Sequence, residues 1–284
     1  MEDKVASISG NYVPSKAGFT AQALRKYWRS FAPNKGMNLI KAEQRRTIDA
    51  AGIPIPVLKA IGDELARAAR KDVRGFLPLA QLLWDEHGRE GRVIALIVLG
   101  AMELVEPEHI VPLLKDLCKR CATWEDADRL AMDALEPIVR KHPERWLDDL
   151  EPWLKDKNKW VRRAAITVVA RIPMKHPAYA GRCLQLAERM LSDSETDVRR
   201  AVSFAIRLCA KADAGLVSAF LKKLVPASDQ AAVWVLCDVI RSLDRKLIPQ
   251  FSTLLPRYQK WSDAPGLSST DRRSIESAMR ALQA

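Results

Sequence analysis

Arg162-Arg-Ala-Ala165 is one of five similar tetrapeptides that recur along the chain. The others are Arg92-Val-Ile-Ala95, Asp128-Arg-Leu-Ala131, Arg199-Arg-Ala-Val202 and Ala231-Ala-Val-Trp234. Their first residues are 32 to 37 residues apart, which is close to the period of helical-hairpin repeats. Apolar residues recur at helical spacing, and strand-like alternation is missing. The pattern therefore predicts an all-α fold, a superhelical α-solenoid of HEAT-like helical hairpins.

The two ends of the chain differ from the repeats between them. Residues 1–18 are polar and rich in turn-forming residues, so we expect a flexible N-terminal arm before a first helix near Thr20. Residues 19–284 are expected to form a single repeat domain, and the helix from Ser269 to Leu282 is expected to cap it. The most apolar run, Val93 to Met102, is too short to span a membrane.

The composition favours a polyanionic partner. Lys and Arg number 46 against 35 Asp and Glu, which gives a net charge of +11 and a pI near 9.5, as in many nucleic-acid-binding proteins. Five is an odd number of cysteines, which does not suggest a framework of disulfides. The first residues lack the apolar core of a signal peptide. We therefore expect a cytoplasmic protein, associated with the nucleoid when bound to DNA.

Metal binding has little support in the sequence. Cys118-Lys-Arg-Cys121 has the spacing of half a zinc site, but no second Cys or His pair lies near enough in sequence to complete four ligands. We expect neither a metal nor an organic cofactor.

The segment Trp124-Glu-Asp-Ala-Asp128 combines an aromatic ring with carboxylates. Trp124 and Asp128 are four residues apart and therefore share one helical face. Glu125 and Asp126 fall in the first helical turn, where acidic residues stabilise a helix N-terminus. An ionised carboxylate can stabilise an oxocarbenium-like sugar and orient a water, but it cannot protonate a leaving base. Asp128 would therefore suit a base that is already cationic, such as a purine alkylated at N3 or N7.

A second cluster is basic. Seven basic residues and one acid, Asp156, lie between residues 155 and 175, and further arginines follow at matching points of later repeats. Such a cluster can neutralise backbone phosphates, although a solvated helix end would look the same. Trp124 and Trp160 have a similar alternative, because tryptophans at helical positions are often core residues.

These motifs, with Lys141-His-Pro-Glu144 and Trp160-Val-Arg-Arg-Ala-Ala-Ile166, resemble the AlkD-type DNA alkylation repair glycosylases, which are built from HEAT-like repeats. The resemblance runs from about Gly52 to about Leu236. It implies that Trp124 and Asp128 are the family's aromatic residue and catalytic carboxylate, and that Arg163 is its phosphate-side arginine. A second tryptophan of the family would fall near Phe204, which stays aromatic but has no indole and could instead belong to the core.

The resemblance implies a monomeric DNA glycosylase without cofactor, which excises 3-methyladenine and 7-methylguanine from duplex DNA in base excision repair. Its catalytic residues would be Asp128, Trp124 and Arg163. The expected DNA-binding residues are Lys159, Trp160, Arg162, Arg199, Arg200, Phe204 and Arg207. A non-catalytic HEAT-repeat protein that binds nucleic acid is the alternative, and a protein-binding scaffold is a third class.

Overall fold

The computed structural model describes residues 2–10, 12–32, 50–102 and 107–283. These residues form helices and turns and contain no β-strand. They fall into two compact units, residues 1–138 and 139–284. The single repeat domain over residues 19–284 stays a prediction. None of the described helices is long and apolar enough to cross a lipid bilayer.

Seven described α-helices and one π-helical segment lie wholly within the first unit, and an eighth α-helix crosses its boundary at residue 138. They are α1 (Glu2–Ser9), α2 (Ala17–Arg29), α3 (Ile55–Ala69), α4 (Val73–Glu86), α5 (Gly88–Met102), α6 (Pro107–Lys119), α7 (Trp124–Arg129), the π segment (Leu130–Leu135) and α8 (Glu136–Lys141).

The second unit continues the pattern. Its described α-helices are α9 (Pro143–Leu154), α10 (Lys159–Arg171), α11 (Ala180–Glu188), α12 (Thr196–Ala212), α13 (Ala214–Leu224), α14 (Gln230–Arg241), α15 (Ile248–Phe251), α16 (Leu255–Ser262) and α17 (Ser269–Gln283).

Side-chain caps explain where several helices begin. Asp72 accepts a hydrogen bond from the backbone N–H of Gly75 at 2.9 Å and caps α4, and Asn158 accepts one from Trp160 at 2.8 Å and caps α10. Asp229 accepts one from Ala232 at 2.9 Å at the start of α14. Each cap satisfies a backbone donor that the first helical turn leaves unpaired.

Within each unit, one helix of each hairpin packs on the matching helix of the next. The row of the first unit is α3, α5 and the π segment, and the row of the second is α10, α12, α14 and α17. The recurring tetrapeptides lie on α5, on α7 and the π segment, and on α10, α12 and α14. The prediction of an all-α fold built from helical-hairpin repeats is confirmed.

The N-terminal residues differ from the flexible arm that the sequence predicted. Residues 2–9 form α1, which packs on α3 and buries Val5 completely. The Tyr12 hydroxyl donates to the carbonyl oxygen of Gly75 at 2.7 Å, and its ring centroid lies 4.4 Å from that of Phe76. Val5 and the ring of Tyr12 thus pack this segment against the first unit, although its composition is otherwise typical of loops.

The final helix covers an apolar edge of the second unit. α17 packs on α14 and α16 and buries Ile275, Ala278 and Leu282. Its remaining residues are partly or fully exposed, which is the amphipathic pattern of a terminal repeat.

Candidate functional site

A capping box sets the start of α7. The Thr123 hydroxyl accepts from the Asp126 backbone N–H at 3.3 Å, and the Asp126 carboxylate accepts from the Thr123 N–H at 3.2 Å. This reciprocal pair satisfies two donors of the first turn and makes Trp124 the first helical residue. Trp124 is 43% exposed, so it is not the core residue of the alternative interpretation. Asp128, one turn further along the same face, is partly exposed.

The other two carboxylates of α7 are held in ion pairs. Asp126 is buried and lies 2.6 Å from Arg92, and Glu125 lies 3.0 Å from Arg89 and 3.2 Å from Arg129. Burial raises the pKa of Glu125, but hydrogen bonds and charge from the two arginines outweigh burial and leave that pKa below its ordinary value. Glu125 and Asp126 therefore have structural roles, as their position in the first turn predicted.

Helical geometry changes two residues after Asp128. The π segment begins at Leu130, and at its end the backbone N–H of Glu136 donates to the carbonyl of Ala131, five residues earlier. Such wide turns occur as isolated features within α-helices and are frequent at functional sites. No sequence motif signals this turn.

Arg162, predicted to bind DNA, instead fastens two loops of the second unit. Its guanidinium forms a bidentate pair with Asp193 at 2.7 and 3.0 Å, and Nη1 donates to the carbonyls of Asp156 and Lys157. Because its donors face these protein acceptors, a DNA phosphate would have to compete with them for Arg162, and its contact with DNA stays a prediction.

Arg199 repeats this arrangement one hairpin later. Its Nη1 donates to the carbonyls of Asp193 and Ser194 at 3.0 Å each, its Nη2 donates to Thr196, and its guanidinium lies 5.9 Å from the ring centre of Trp234. The recurring arginine of the tetrapeptide thus closes the loop that precedes its own helix.

Arg163 is only 8% exposed. Its Nη1 donates a short hydrogen bond to the carbonyl of Asp197, which joins α10 to the first turn of α12. The predicted role was a contact with a DNA phosphate. In the structure the guanidinium serves at least in part to hold two helices together.

Lys159 and Trp160 form a partly exposed pair at the start of α10. The Lys159 ammonium lies 4.5 Å from the ring centre of Trp160, and it forms ion pairs with Asp197 at 3.0 Å and Glu195 at 3.5 Å. The hydrogen bond with Asp197 is the main reason that the pKa of Lys159 is raised. A phosphate would have to compete with two carboxylates for this lysine.

The accessible face of α12 is basic. Arg200, Phe204, Arg207 and Lys211 follow one another at helical spacing and are exposed or partly exposed, and every residue between them is buried. We call these four residues the α12 stripe. Phe204 is thus not a buried core residue. Lys211 was missed in the sequence, although its spacing of four residues from Arg207 is the signal that could have identified it.

Arg207 has unused hydrogen-bonding capacity. Burial lowers the pKa of its guanidinium, its Nη1 donates to the Ser242 carbonyl at 3.3 Å, and its buried Nε has no hydrogen-bond acceptor. The guanidinium also lies 5.6 Å from the ring centre of Phe204. An arginine desolvated in this way gains more from an anionic ligand than a fully hydrated one.

The cysteine pair shows no chemical activation. Cys118 and Cys121 are buried, and burial raises the pKa of the Cys121 thiol far above its ordinary value. In the part of the chain that the structure describes, no group of three or more His, Cys, Asp or Glu residues is arranged to hold a metal ion.

Comparison with known proteins agrees with the fold. AlkD2 from Streptococcus mutans is similar, with a TM-score of 0.60, 18% identity and coverage of 80% of this chain and 99% of that protein. The smu.31 protein of Streptococcus mutans UA159 is similar over 67% of this chain and 98% of its own length, with a TM-score of 0.56 and 20% identity. No curated protein sequence matches significantly.

The fold and the α12 stripe together define a helical-repeat protein with a surface suited to polyanions. The family model of DNA alkylation repair enzymes matches residues 20–263, which is most of the sequence. The chain therefore belongs to the family of DNA alkylation repair enzymes.

Proposed function

We propose that this protein is a monofunctional DNA glycosylase that releases cationic N3- and N7-alkylated purines, such as 3-methyladenine and 7-methylguanine, from duplex DNA in base excision repair. The proposal rests mainly on one observation. Trp124 is exposed, and Asp128 is partly exposed one turn away on the same face of α7.

Asp128 acts in its ionised form. When the bond between C1′ and the purine nitrogen breaks, its electron pair stays with the base and neutralises the base's positive charge. The sugar becomes an oxocarbenium ion, which the carboxylate stabilises while it orients a water for attack on C1′. The leaving base needs no proton, because alkylation has already made it a good leaving group. Unmodified purines would therefore remain in the DNA.

The remaining residues bind and orient the DNA. Trp124 offers an exposed indole face to the cationic, lesion-bearing nucleotide, because an aromatic face attracts a cation. In the second unit, the α12 stripe provides three cations for phosphates and one aromatic ring at Phe204. We assign Arg163 to the support of this stripe, since it holds the first turn of α12 from α10.

The test is incubation with duplex DNA that carries 7-methylguanine, followed by measurement of released base and abasic sites, with and without a chelator. We expect release above the spontaneous rate in both conditions. Asp128→Asn should abolish release and keep DNA affinity. The matched control is Asp116→Asn, which removes a charge from an exposed ion pair of α6 with Arg120 at 3.1 Å.

The rival function is that of a non-catalytic repeat protein that binds nucleic acid. It predicts tight, salt-dependent DNA binding with no base release above the spontaneous rate. Equal release by wild type and Asp128→Asn would show that another group carries the reaction.

A further inference from the structure

We infer that Gly100 is a positioning residue for Asp128. Its lack of a side chain lets α5 approach the backbone of the π segment, and this contact sets the direction in which α7 presents Trp124 and Asp128. The inference rests on the proposed function for the chemical role of Asp128, but the contact itself lies wholly within the first unit.

The π segment connects α7 to α8 without a break. A π turn contains more residues than an α turn, and one residue corresponds to about 100° of rotation in an α-helix. Because of the wide turn, the side chains of α7 are rotated about the helix axis relative to where an unbroken α-helix leading into α8 would place them. Meanwhile the turn's own apolar residues, Leu130, Ala131, Ala134 and Leu135, remain buried. The orientation of Asp128 thus depends on how this turn is held.

Gly100 of α5 holds the turn by direct backbone contact. A β-carbon at this position would lie 2.0 Å from the carbonyl oxygen of Asp133 and 3.4 Å from the Cα of Ala134. A carbonyl within a continuous helix cannot move aside alone, so any side chain here would displace the turn. Glycine is therefore required by space and not by backbone conformation.

Gly18 of α2 provides a contrast in the same unit. A β-carbon there would meet no described atom within 4 Å. Alanine at Gly18 and alanine at Gly100 thus add the same methyl group, but only the second pushes on the turn that follows Asp128.

The main experiment compares Gly100→Ala with Gly18→Ala. We expect Gly100→Ala to slow the single-turnover release of 7-methylguanine about 100-fold, because a displacement near 1 Å at a reacting group has this effect. DNA affinity should stay unchanged. Gly18→Ala should keep both the rate and the affinity. Equal rate losses in the two variants, or a loss of DNA affinity in parallel with the rate, would overturn the inference.

A second measurement reports the position of α7 without catalysis. In protein labelled with fluorotryptophan, the Trp124 resonance is identified by its loss in Trp124→Phe. Gly100→Ala should shift this resonance and Gly18→Ala should not. An unmoved resonance in Gly100→Ala refutes the positioning role. A wild-type protein that releases no base would refute the proposed function, and the resonance would still decide the role of Gly100.

A milder variant covers the case in which Gly100→Ala does not fold. Ala134→Gly removes a buried methyl group beside the same contact and frees the backbone of the turn. We expect a slower release of base and a shifted or broadened Trp124 resonance in the folded protein. A wild-type rate together with a wild-type resonance would contradict the inference.

Discussion

Asp126→Asn should destabilise the protein without removing its activity. The Asp126 side chain is 6% exposed, and its Oδ2 accepts from Arg92 at 2.6 Å, from Ala122 at 3.0 Å and from Thr123 at 3.2 Å. Asparagine can keep one oxygen in this place, but it removes the charge opposite Arg92. Breaking a buried pair costs about 3–5 kcal/mol, and a hydrogen bond to a charged group contributes about 1.5–3 kcal/mol. We expect a loss of about 2–4 kcal/mol.

The assay combines thermal melting with base release. For a chain of this size, each kcal/mol lowers the melting temperature by about 2–4 °C, so the expected drop is about 4–16 °C. Below its melting temperature, Asp126→Asn should release 7-methylguanine at the wild-type rate, whereas Asp128→Asn should melt normally and release none. An unchanged melting temperature would refute the structural role of Asp126. Loss of release in folded Asp126→Asn would refute the assignment of catalysis to Asp128.

Five further variants test the remaining assignments. Arg207→Ala should reduce the slope of log affinity against log salt by about 0.9 with little change in melting temperature, whereas Arg162→Ala should lower the melting temperature and keep the slope. Phe204→Ala should slow base release without the loss of about 3–5 kcal/mol that a core phenylalanine would show, and Phe204→Trp should match or modestly exceed wild type. Because the pKa of Glu125 is depressed in the folded state, its stabilising effect is present above about pH 4.3, the ordinary value, and is lost as the pH falls through the folded value. In the acid range, the free energy of unfolding should therefore depend less on pH in Glu125→Gln than in the wild type.

Features that depend on local helical geometry could be predicted from the sequence. The recurring tetrapeptides identified helices that pack in rows, because the repeat period and the spacing of apolar residues are both visible in one dimension. The shared face of Trp124 and Asp128 follows from a spacing of four residues alone. The structural roles of Glu125 and Asp126 likewise follow from their place in the first turn.

Features that depend on distant partners could not be predicted. Arg162 was assigned to DNA because it lies in a basic segment, but its partner Asp193 is 31 residues away. The composition of residues 1–18 predicted a flexible arm, because no neighbouring residue indicates the hydrogen bond between Tyr12 and Gly75, 63 residues away. The π segment depends on the close approach of α5 at Gly100, a contact that has no counterpart in the pattern of the α7 sequence.

The arginines that fasten the loops also limit how this protein can change in length. Arg92 pairs with Asp126, and Arg162 pairs with Asp193, so in both cases the acid belongs to the next hairpin along the chain. Excision of the hairpin that carries the acid would leave the arginine of the preceding hairpin without its carboxylate, and duplication would succeed only if the inserted unit carried both halves of the pair. The array should therefore tolerate substitution on its accessible faces far more readily than the gain or loss of a whole module.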